Sequence, residues 1–148
     1  MSDAHERHER MKFVGRIQDI QEWLTPGKAH YYSKGDERWL EDGLRFHRIV
    51  GPQNSEDLVF GVAKLEPGEV HLLHHHDDAS ELYYVVEGEG KFTLDDDIVN
   101  GVPGTVIYMT AGVKHKIENE GTETLMIFFM YPRPDYTTTL DPDIEKQG

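Results

Sequence analysis

Short apolar segments separated by turn-forming residues make up most of the chain from Leu44 onward. The segments are rich in Val, Ile, Phe, Tyr and Thr, which are the residues that favour β-strands. The turn-forming sequences between them are Gly51-Pro52, Pro67-Gly68, Glu87-Gly88, Asp95-Asp96-Asp97, Pro103-Gly104, Ala111-Gly112 and Asn119-Glu120-Gly121. Because these turns leave no room for long helices, the pattern predicts an all-β fold, either an antiparallel sandwich or a barrel.

The sequence on either side of this region is more polar. We expect an N-terminal arm and packing segment over residues 1–43, the barrel over 44–131, and a Pro- and Asp-rich tail over 132–148 that follows the surface. Apolar residues at helical spacing before Thr25-Pro26-Gly27 predict one short helix in the N-terminal segment. The residues with that spacing are Phe13, Ile17, Ile20 and Leu24.

Charge and cysteine content exclude several classes of protein. The chain has 28 Asp and Glu against 15 Lys and Arg, a net charge of -13 that disfavours binding to nucleic acid or to anionic membranes. It has no cysteine, so any metal ion must be held by histidine and carboxylate groups. The N-terminal sequence lacks the apolar stretch of a signal peptide, and we expect a cytoplasmic protein.

A run of histidines lies in one of the predicted strands. Side chains alternate between the faces of a strand, and in 69–76 the apolar Val70 and Leu72 mark the inward face. His74 and His76 lie on that face, where histidines make a poor hydrophobic core.

A carboxylate and a third imidazole are expected on the same inward side. Glu81 shares a strand face with Tyr83, and His115 lies between the apolar Val113 and Ile117. Burying three imidazoles and a carboxylate is unfavourable unless each has a partner, and one divalent metal ion is a partner for all of them. The predicted ligands are His74, His76, Glu81 and His115.

Two predicted strands, 81–86 and 125–131, are apolar on both faces. Such strands are covered on both sides, so we expect the outer face to be covered by residues 12–24 or by the second subunit of a homodimer. His71 and His75 alternate away from the inward face, and we expect them to pack on the outer face or at the dimer interface.

Two spaced motifs contain the candidate ligands. The first reads Gly68, five residues, His74, one residue, His76, four residues, Glu81, six residues, Gly88. The second reads Gly104, five residues, Thr110, one residue, Gly112, two residues, His115, three residues, Asn119. The two strings resemble the paired motifs of the cupin superfamily, with one departure at Thr110, where the family usually has a proline that makes the turn rigid.

The resemblance implies a double-stranded β-helix, or jelly-roll barrel, with one mononuclear site, and the family's ligand positions fall on the four predicted residues. The implied cofactor is one divalent transition metal ion, Fe, Mn, Ni, Co or Zn, with two adjacent coordination positions left open. Because only one ligand is negatively charged, the site remains positive, and we expect a small anionic or hydroxyl-rich substrate.

Three functions are compatible with the sequence. The resemblance implies first a dioxygenase or decarboxylase, in which Glu81 or Tyr83 handles protons. The second is an O2-independent isomerase or lyase. Sugar-phosphate isomerases of the superfamily have sequences similar to Tyr131-Pro132 and Asp135-Tyr136, and dimethylsulfoniopropionate lyases have a tyrosine at the position of Tyr83. The third is a non-catalytic module that binds a small ligand or a metal ion.

Further side chains are candidates for contact with a substrate. Tyr108 and Tyr131 are candidate barrel-lining tyrosines of the same kind as Tyr83. Arg45 and Arg48 lie on opposite faces of the strand over 44–50, so one of them points inward. The inward arginine either pairs with a carboxylate or phosphate of the substrate or forms an ion pair at the strand edge.

Overall fold

A computed structural model describes residues 13–17, 28–33, 36–41, 43–134 and 136–140. This part of the chain forms β-strands and contains no α-helix. Most of the short helix predicted in the N-terminal segment lies outside the described residues. No helix with the length and hydropathy needed to cross a membrane is found in the described ranges.

The described strands pair exclusively in antiparallel fashion. In chain order they are β1 (Lys28–Ser33), β2 (Asp36–Glu41), β3 (Arg45–Val50), β4 (Val59–Leu65), β5 (Val70–His75), β6 (Glu81–Glu87), β7 (Gly90–Leu94), β8 (Asp97–Gly101), β9 (Val106–Met109), β10 (His115–Glu118), β11 (Leu125–Tyr131) and β12 (Thr139–Leu140). β1 and β2 form a separate hairpin.

The other strands form two five-stranded sheets. Sheet I has the order β3-β4-β11-β6-β9, and sheet II has the order β12-β5-β10-β7-β8. From β4 onward the chain passes repeatedly from one sheet to the other, and the hairpin β7–β8 is the one step that stays within a sheet. This alternation is the connectivity of a jelly-roll barrel, which confirms the predicted all-β double-stranded β-helix.

The core lies between the inner faces of the two sheets. Phe92 of sheet II and Val85 of sheet I are completely buried, and Ile117 is buried beside His115, as the alternation of each strand predicts. The larger apolar side chains of the core are Leu44, Leu65, Tyr83, Phe92, Ile107, Met109, Ile117, Leu125, Ile127, Phe129 and Tyr131.

The motif glycines provide turns that other residues disfavour. Gly88 has a φ of 77°, and a Cβ atom there would lie 2.4 Å from the carbonyl oxygen of Thr124. Gly104 has a φ of 94° and lies in the turn between β8 and β9. Because an L-residue is strained at positive φ, glycine is required for these tight connections.

The outer face of sheet I carries a row of aromatic side chains. The ring of Phe128 lies 5.4 Å from that of Phe60 and 6.1 Å from that of Tyr84, measured between ring centroids. Tyr84 is 40% exposed and Met130 is 37% exposed. The strands predicted to be apolar on both faces therefore leave part of their outer face accessible.

Candidate metal centre

The four predicted ligands come from three strands that meet inside the barrel. His74 and His76 lie at the end of β5 and just after it, and His115 begins β10 directly opposite His74 in sheet II. Glu81 begins β6 in sheet I. All four side chains are buried, with at most 4% of any of them exposed.

Backbone carbonyls determine which nitrogen of each imidazole carries the proton. Nδ1 of His115 lies 2.9 Å from the carbonyl oxygen of Val113, and Nδ1 of His74 contacts the carbonyl of Leu72. A carbonyl oxygen only accepts hydrogen bonds, so Nδ1 is the donor in both rings. The lone pair of each ring is therefore on Nε2, which is the form that binds a metal ion.

His76 follows the same rule with a partner that is distant in sequence. Its Nδ1 lies 3.1 Å from the carbonyl oxygen of Thr137, and the hydroxyl of Thr138 lies 3.2 Å away. Thr137 is held in turn by Asp78, whose carboxylate accepts hydrogen bonds from the Thr137 backbone N–H and hydroxyl. We call residues 136–140 the C-terminal strap.

The three imidazoles converge on one point. The ligand atoms of His74, His76 and His115 all lie within 4.8 Å of one another, an arrangement that can hold a metal ion. Their ring centroids are 4.1 to 5.2 Å apart. The convergence follows from the direct pairing of His74 with His115 and from the short step along the chain to His76.

The carboxylate of Glu81 lies against two of these rings. Its Oε1 is 3.0 Å from Nε2 of His115 and 3.6 Å from Nε2 of His76. Within the described part of the chain, neither Oε1 of Glu81 nor Nε2 of His115 has a hydrogen-bond partner. With the His115 proton on Nδ1, both atoms present lone pairs to each other, which is unfavourable unless a cation lies between them.

The spacing of these atoms fits a bound divalent ion. Two adjacent ligands at about 2.1 Å from an octahedral ion lie about 3.0 Å apart, as Oε1 of Glu81 and Nε2 of His115 do. A proton on Nε2 would also relieve the contact, but burial lowers the pKa of His115 despite the opposing effect of Glu81. The donor set of three imidazoles and one carboxylate therefore fits a transition metal ion.

The electrostatics keep the donors in their metal-binding protonation states. Burial and the neighbouring histidines hold the pKa of His74 well below its usual value, so this imidazole is neutral at pH 7. Burial raises the pKa of Glu81, whereas an N–H donor on the adjacent rings of His115 and His76 lowers it by more. With the ring protons on Nδ1, a cation beside Oε1 would take the place of those donors in keeping the carboxylate ionised.

Two tyrosines line the site. The hydroxyl of Tyr131 lies 3.0 Å from Nε2 of His76 and donates to its lone pair, so a metal ion on this nitrogen would replace that hydrogen bond. Burial, with Glu81 as a second cause, raises the pKa of Tyr131 well above its usual value, so the hydroxyl keeps its proton. Tyr83 is 2% exposed, and its ring lies 5.9 Å from that of His115.

Tyr108 is not part of the site. It is 64% exposed and is paired across the strands with Leu82, on the outer face of sheet I. The structure therefore brings Tyr83 and Tyr131 to the candidate centre and leaves Tyr108 outside it.

The two arginines of β3 have different surroundings. Arg45 forms an ion pair of 2.7 Å with Glu69. Arg48 points inward, donates a hydrogen bond of 2.8 Å to the hydroxyl of Tyr136, and lies over the ring of Phe46. The inward arginine that the strand alternation required is thus Arg48.

A β-bulge in β5 overturns one predicted orientation. Ile117 faces His71, although regular pairing from His115 and His74 would place Leu72 there. Directly opposed residues share a face, so His71 points inward, and its ring lies 4.4 Å from that of His74. The prediction that His71 lies on the outer face was wrong because strict alternation cannot reveal an inserted residue.

The C-terminal strap contributes to the site, which the prediction of a surface tail did not include. Tyr136 stacks on Tyr131 with centroids 3.8 Å apart, and its ring lies 5.3 Å from that of His76. β12 adds two residues of the strap to the edge of sheet II, beside β5. The available signal was an aromatic residue followed by three threonines and a leucine, a β-favouring stretch within a polar tail.

Comparisons with known proteins agree with this architecture. Residues 61–131 match the family model of the cupin domain. An uncharacterized protein of Methanocaldococcus jannaschii is 42% identical over 98 residues, which are 65% of this chain and 78% of that protein.

Relatives with named activities are more distant. A glucose-6-phosphate isomerase of Thermococcus onnurineus is 27% identical over 136 residues, covering 82% of this chain and 69% of the isomerase. A quercetin 2,3-dioxygenase of Bacillus subtilis is 27% identical over 125 residues, covering 80% of this chain and 37% of the dioxygenase.

One solved structure matches almost along its full length. The crystal structure of a predicted oxalate decarboxylase from Thermotoga maritima superposes with a TM-score of 0.62 at 25% identity. The match covers 82% of this chain and 99% of that chain.

Proposed function

The chain belongs to the cupin superfamily, and from that membership we propose that it is a metal-dependent enzyme that acts on a small oxygenated molecule. The proposed ligands are His74, His76, Glu81 and His115. The observation that supports the proposal most is the 3.0 Å contact between Oε1 of Glu81 and Nε2 of His115, two buried acceptor atoms with no hydrogen-bond partner among the described residues.

A divalent ion bound there supplies Lewis-acid chemistry, or O2 activation if it is iron. The chain's own residues position the substrate and move protons around that ion. Tyr131 keeps its proton beside His76, so its hydroxyl can donate to an oxygen atom of the substrate. We propose Glu81 and Tyr83 as the catalytic groups that accept and return a proton, since both are buried beside His115.

Dioxygenase or decarboxylase chemistry is the first candidate. It is supported by the likeness to the quercetin dioxygenase and to the oxalate decarboxylase structure. Three neutral imidazoles with one carboxylate leave a bound divalent ion positively charged, which favours a carboxylate or enolate oxygen of the substrate.

An O2-independent isomerase is the second candidate. It is supported by the match to glucose-6-phosphate isomerase along most of both chains. The residues that resemble sugar-phosphate isomerases, Tyr131-Pro132 and Tyr136, adjoin the centre, with Tyr131 on His76 and Tyr136 stacked on Tyr131. An isomerase needs a buried proton carrier next to the substrate, a role that Glu81 can fill.

Oxygen consumption separates the two candidates. Protein prepared without oxygen and loaded in turn with Fe(II), Mn(II), Ni(II), Co(II) or Zn(II) is screened against hydroxy acids, oxalate, diketones and sugar phosphates. An O2 electrode and mass spectrometry of the products are the readouts. Stoichiometric O2 uptake identifies a dioxygenase, CO2 release a decarboxylase, and unchanged turnover under argon with an isomeric product an isomerase.

The same screen includes a matched pair of variants. Glu81→Gln removes the buried carboxylate, whereas Asp77→Asn removes an exposed carboxylate that pairs with His75. The proposal predicts that turnover is lost in the first variant and kept in the second. Binding without turnover for every metal and substrate class would contradict the enzyme proposal and favour a non-catalytic binding module.

We also propose that the chain forms a homodimer through the outer face of sheet I. The aromatic row of Phe60, Phe128 and Tyr84 gives this face a continuous apolar surface. Apolar surface of this kind is stabilised when a second subunit covers it.

A further inference from the structure

The side chain of Arg48 occupies the inner face of sheet I. Arg48 is paired across the strands with Gly61, which is paired with Phe129, which is paired with Tyr83. Phe129 and Tyr83 are both buried in the core, and directly opposed residues of a sheet share a face. Gly61 leaves space for this arrangement, because a Cβ atom there would lie 2.2 Å from the ring of Phe129.

The guanidinium group of Arg48 is only partly satisfied. One Nη atom donates to the hydroxyl of Tyr136 at 2.8 Å, whereas Nε is shielded from solvent and has no hydrogen-bond partner. Aromatic rings flank the group, with Phe46 at 5.6 Å and Tyr136 at 5.4 Å from the guanidinium carbon. Within the described ranges no carboxylate forms an ion pair with Arg48, whereas Arg45 of the same strand pairs with Glu69.

One layer of tyrosine separates this positive charge from the candidate metal centre. Tyr136 stacks on Tyr131 with centroids 3.8 Å apart, and the Tyr131 hydroxyl contacts Nε2 of His76. Tyr136 belongs to the C-terminal strap, whose next residue, Thr137, contacts His76 directly. The Tyr136 hydroxyl therefore occupies one of the Arg48 donors that a ligand reaching from the centre would bind.

The chemistry of the guanidinium group indicates what would replace it. Nε and the adjacent Nη present two parallel N–H donors, which match the two oxygens of a carboxylate or phosphate. A single tyrosine hydroxyl satisfies one of these donors and leaves the other buried without a partner. A bidentate anion satisfies both and also neutralises the charge.

We propose that Arg48 is a specificity-determining residue that binds a second anionic group of the substrate. The preferred ligands are then small molecules with a metal-chelating oxygen pair at one end and a carboxylate or phosphate at the other. This inference rests on the proposed function for the chelating end, but the role of Arg48 toward the distal anion can be measured separately.

The test compares ligands that differ only in the distal anion. Lactate and malate share a hydroxy-acid end, as do glycerate and 3-phosphoglycerate, and the second member of each pair adds a carboxylate or a phosphate. Their dissociation constants are measured by calorimetry on Mn(II)-loaded protein. We expect the second member of at least one pair to bind about 10- to 100-fold more tightly, the gain typical of a bidentate charge-assisted contact. The pair that shows the gain tells which anion is preferred, and equal affinities within both pairs overturn the proposal.

Two variants and a control assign the preference to Arg48. Arg48→Met should abolish the preference, whereas Arg45→Met, which removes the arginine paired with Glu69, should keep it. Tyr136→Phe removes the competing hydroxyl and keeps the stacked ring, so we expect it to strengthen binding of the preferred dianion a few-fold and leave its monoanion unchanged. The proposal is overturned if Arg48→Met still binds the ligand with the second anionic group more tightly, or if Arg45→Met loses this preference to the same extent. It is also overturned if Tyr136→Phe binds that ligand more weakly than the wild type does.

A readout in the metal-free protein separates this proposal from the metal proposal. The Nε–H signal of Arg48, assigned by its loss in Arg48→Met, is followed by nitrogen NMR during addition of malate and of 3-phosphoglycerate. A saturable shift in the wild type supports the role of Arg48 even if lactate binding proves independent of Mn(II). If lactate binding requires Mn(II) but neither malate nor 3-phosphoglycerate shifts the Arg48 signal, the proposed role of Arg48 is overturned. The metal proposal is then unaffected.

Discussion

The three imidazoles of the centre are held in one protonation form by groups outside the ligand set. His74 and His115 each bond to the carbonyl two residues earlier in the chain, and His76 bonds to the carbonyl of Thr137. Each Nδ1 proton is therefore already engaged, and each Nε2 lone pair points into the shared space. A centre organised in this way does not have to rearrange its ligands when the ion binds.

Glu81 provides the sharpest test at the scale of a single residue. Glu81→Gln should weaken metal binding by at least about 10-fold, because it removes the only charged donor. It should also stabilise the metal-free protein by about 1 kcal/mol, since the amide N–H2 can donate to Nε2 of His115, where Oε1 of Glu81 now faces it. Competition with a chromophoric chelator and urea denaturation of the metal-free protein measure the two effects.

Asp77→Asn is the control for both measurements, because Asp77 is exposed and pairs with His75. Neither its metal affinity nor its stability should differ much from those of the wild type. A Glu81→Gln variant that loses stability and retains its metal affinity would show that Glu81 has only a structural role.

Strand alternation predicted that the four candidate ligands meet at the centre, although Val70, one of the two residues used to mark the inward face, lies opposite Glu118 on the outer face. It placed His74, His76, Glu81 and His115 on inner faces, and all four are buried together. It failed at His71, because a β-bulge shifts the register and one sequence contains no signal for the bulge. Alternation within one strand is local information, so it also could not show that Tyr136 reaches the site from the tail.

At the scale of elements, the C-terminal strap joins the tail to the centre. Asp78 accepts hydrogen bonds from the N–H and the hydroxyl of Thr137, and the carbonyl of Thr137 bonds to His76. Asp78→Ala should therefore leave the barrel folded and weaken metal binding up to about 10-fold, because His76 loses its fixed orientation. The measurement is chelator competition, together with circular dichroism to show that the strands persist.

Asp96→Ala, in the exposed turn between β7 and β8, is the matched control for the strap. Its metal affinity should equal that of the wild type. Equal affinities in both variants would mean that the strap does not orient His76.

Alanine substitutions at two turn glycines, Gly68 and Gly88, distinguish the cost of a positive φ from the cost of a steric clash. Gly68 has a φ of 86°, and a Cβ atom there would have nothing within 4 Å, whereas at Gly88 the Cβ atom would meet the Thr124 carbonyl. Gly68→Ala should cost about 1 kcal/mol of unfolding free energy from the positive φ alone. Gly88→Ala should cost at least about 1 kcal/mol more because the backbone has to move.

Urea denaturation of the two variants gives both free energies. If Gly68→Ala and Gly88→Ala lose the same unfolding free energy, the turn after β6 accommodates the added Cβ atom without cost. That result would contradict the steric clash expected from the close approach of Thr124.

The elements themselves were predictable to different degrees. The strands with clear turn signals agree closely, and the closing strand predicted over 125–131 is β11 at the same residues. The hairpin of β1 and β2 was not predicted, since its large apolar residues come as adjacent pairs, Tyr31-Tyr32 and Trp39-Leu40, and therefore give no alternating apolar face to recognise. β12 was not predicted either, because a strand of two residues at a sheet edge is too short to show an alternation of apolar and polar residues.

At the scale of the whole molecule, the fold positions the site and the outer face of sheet I defines a second surface. If this surface forms the homodimer interface, sedimentation velocity will give the mass of two chains for the wild type. Tyr84→Glu, at the exposed end of the aromatic row, should then give monomers, because an unpaired charge would be buried at the interface.

Ile98→Glu is the control for the dimer, since Ile98 is 64% exposed on β8 of sheet II. It should sediment as the wild type does. A wild-type protein that is monomeric at all concentrations would contradict the homodimer proposal and leave the metal centre unaffected.

The fold class and the family follow from patterns that extend over residues 44–131, and they were predictable for that reason. Alternation, turn spacing and the two motifs all repeat the same information, so a single departure such as Thr110 does not obscure it. The reaction is set by a few side chains around the substrate, including Arg48 and Tyr136, whose meeting depends on the folded path of the tail.

The most direct test of the central claim is a zinc titration followed by nitrogen NMR of the histidine rings. Zn(II) is suitable because it is diamagnetic and accepts imidazole and carboxylate ligands. We predict that at one equivalent the Nε2 signals of His74, His76 and His115 shift together, while their Nδ1 atoms remain protonated. The account would be contradicted if the titration saturated at a different stoichiometry or if the histidines coordinated through Nδ1. It would also be contradicted if the signal of any of the three histidines did not shift.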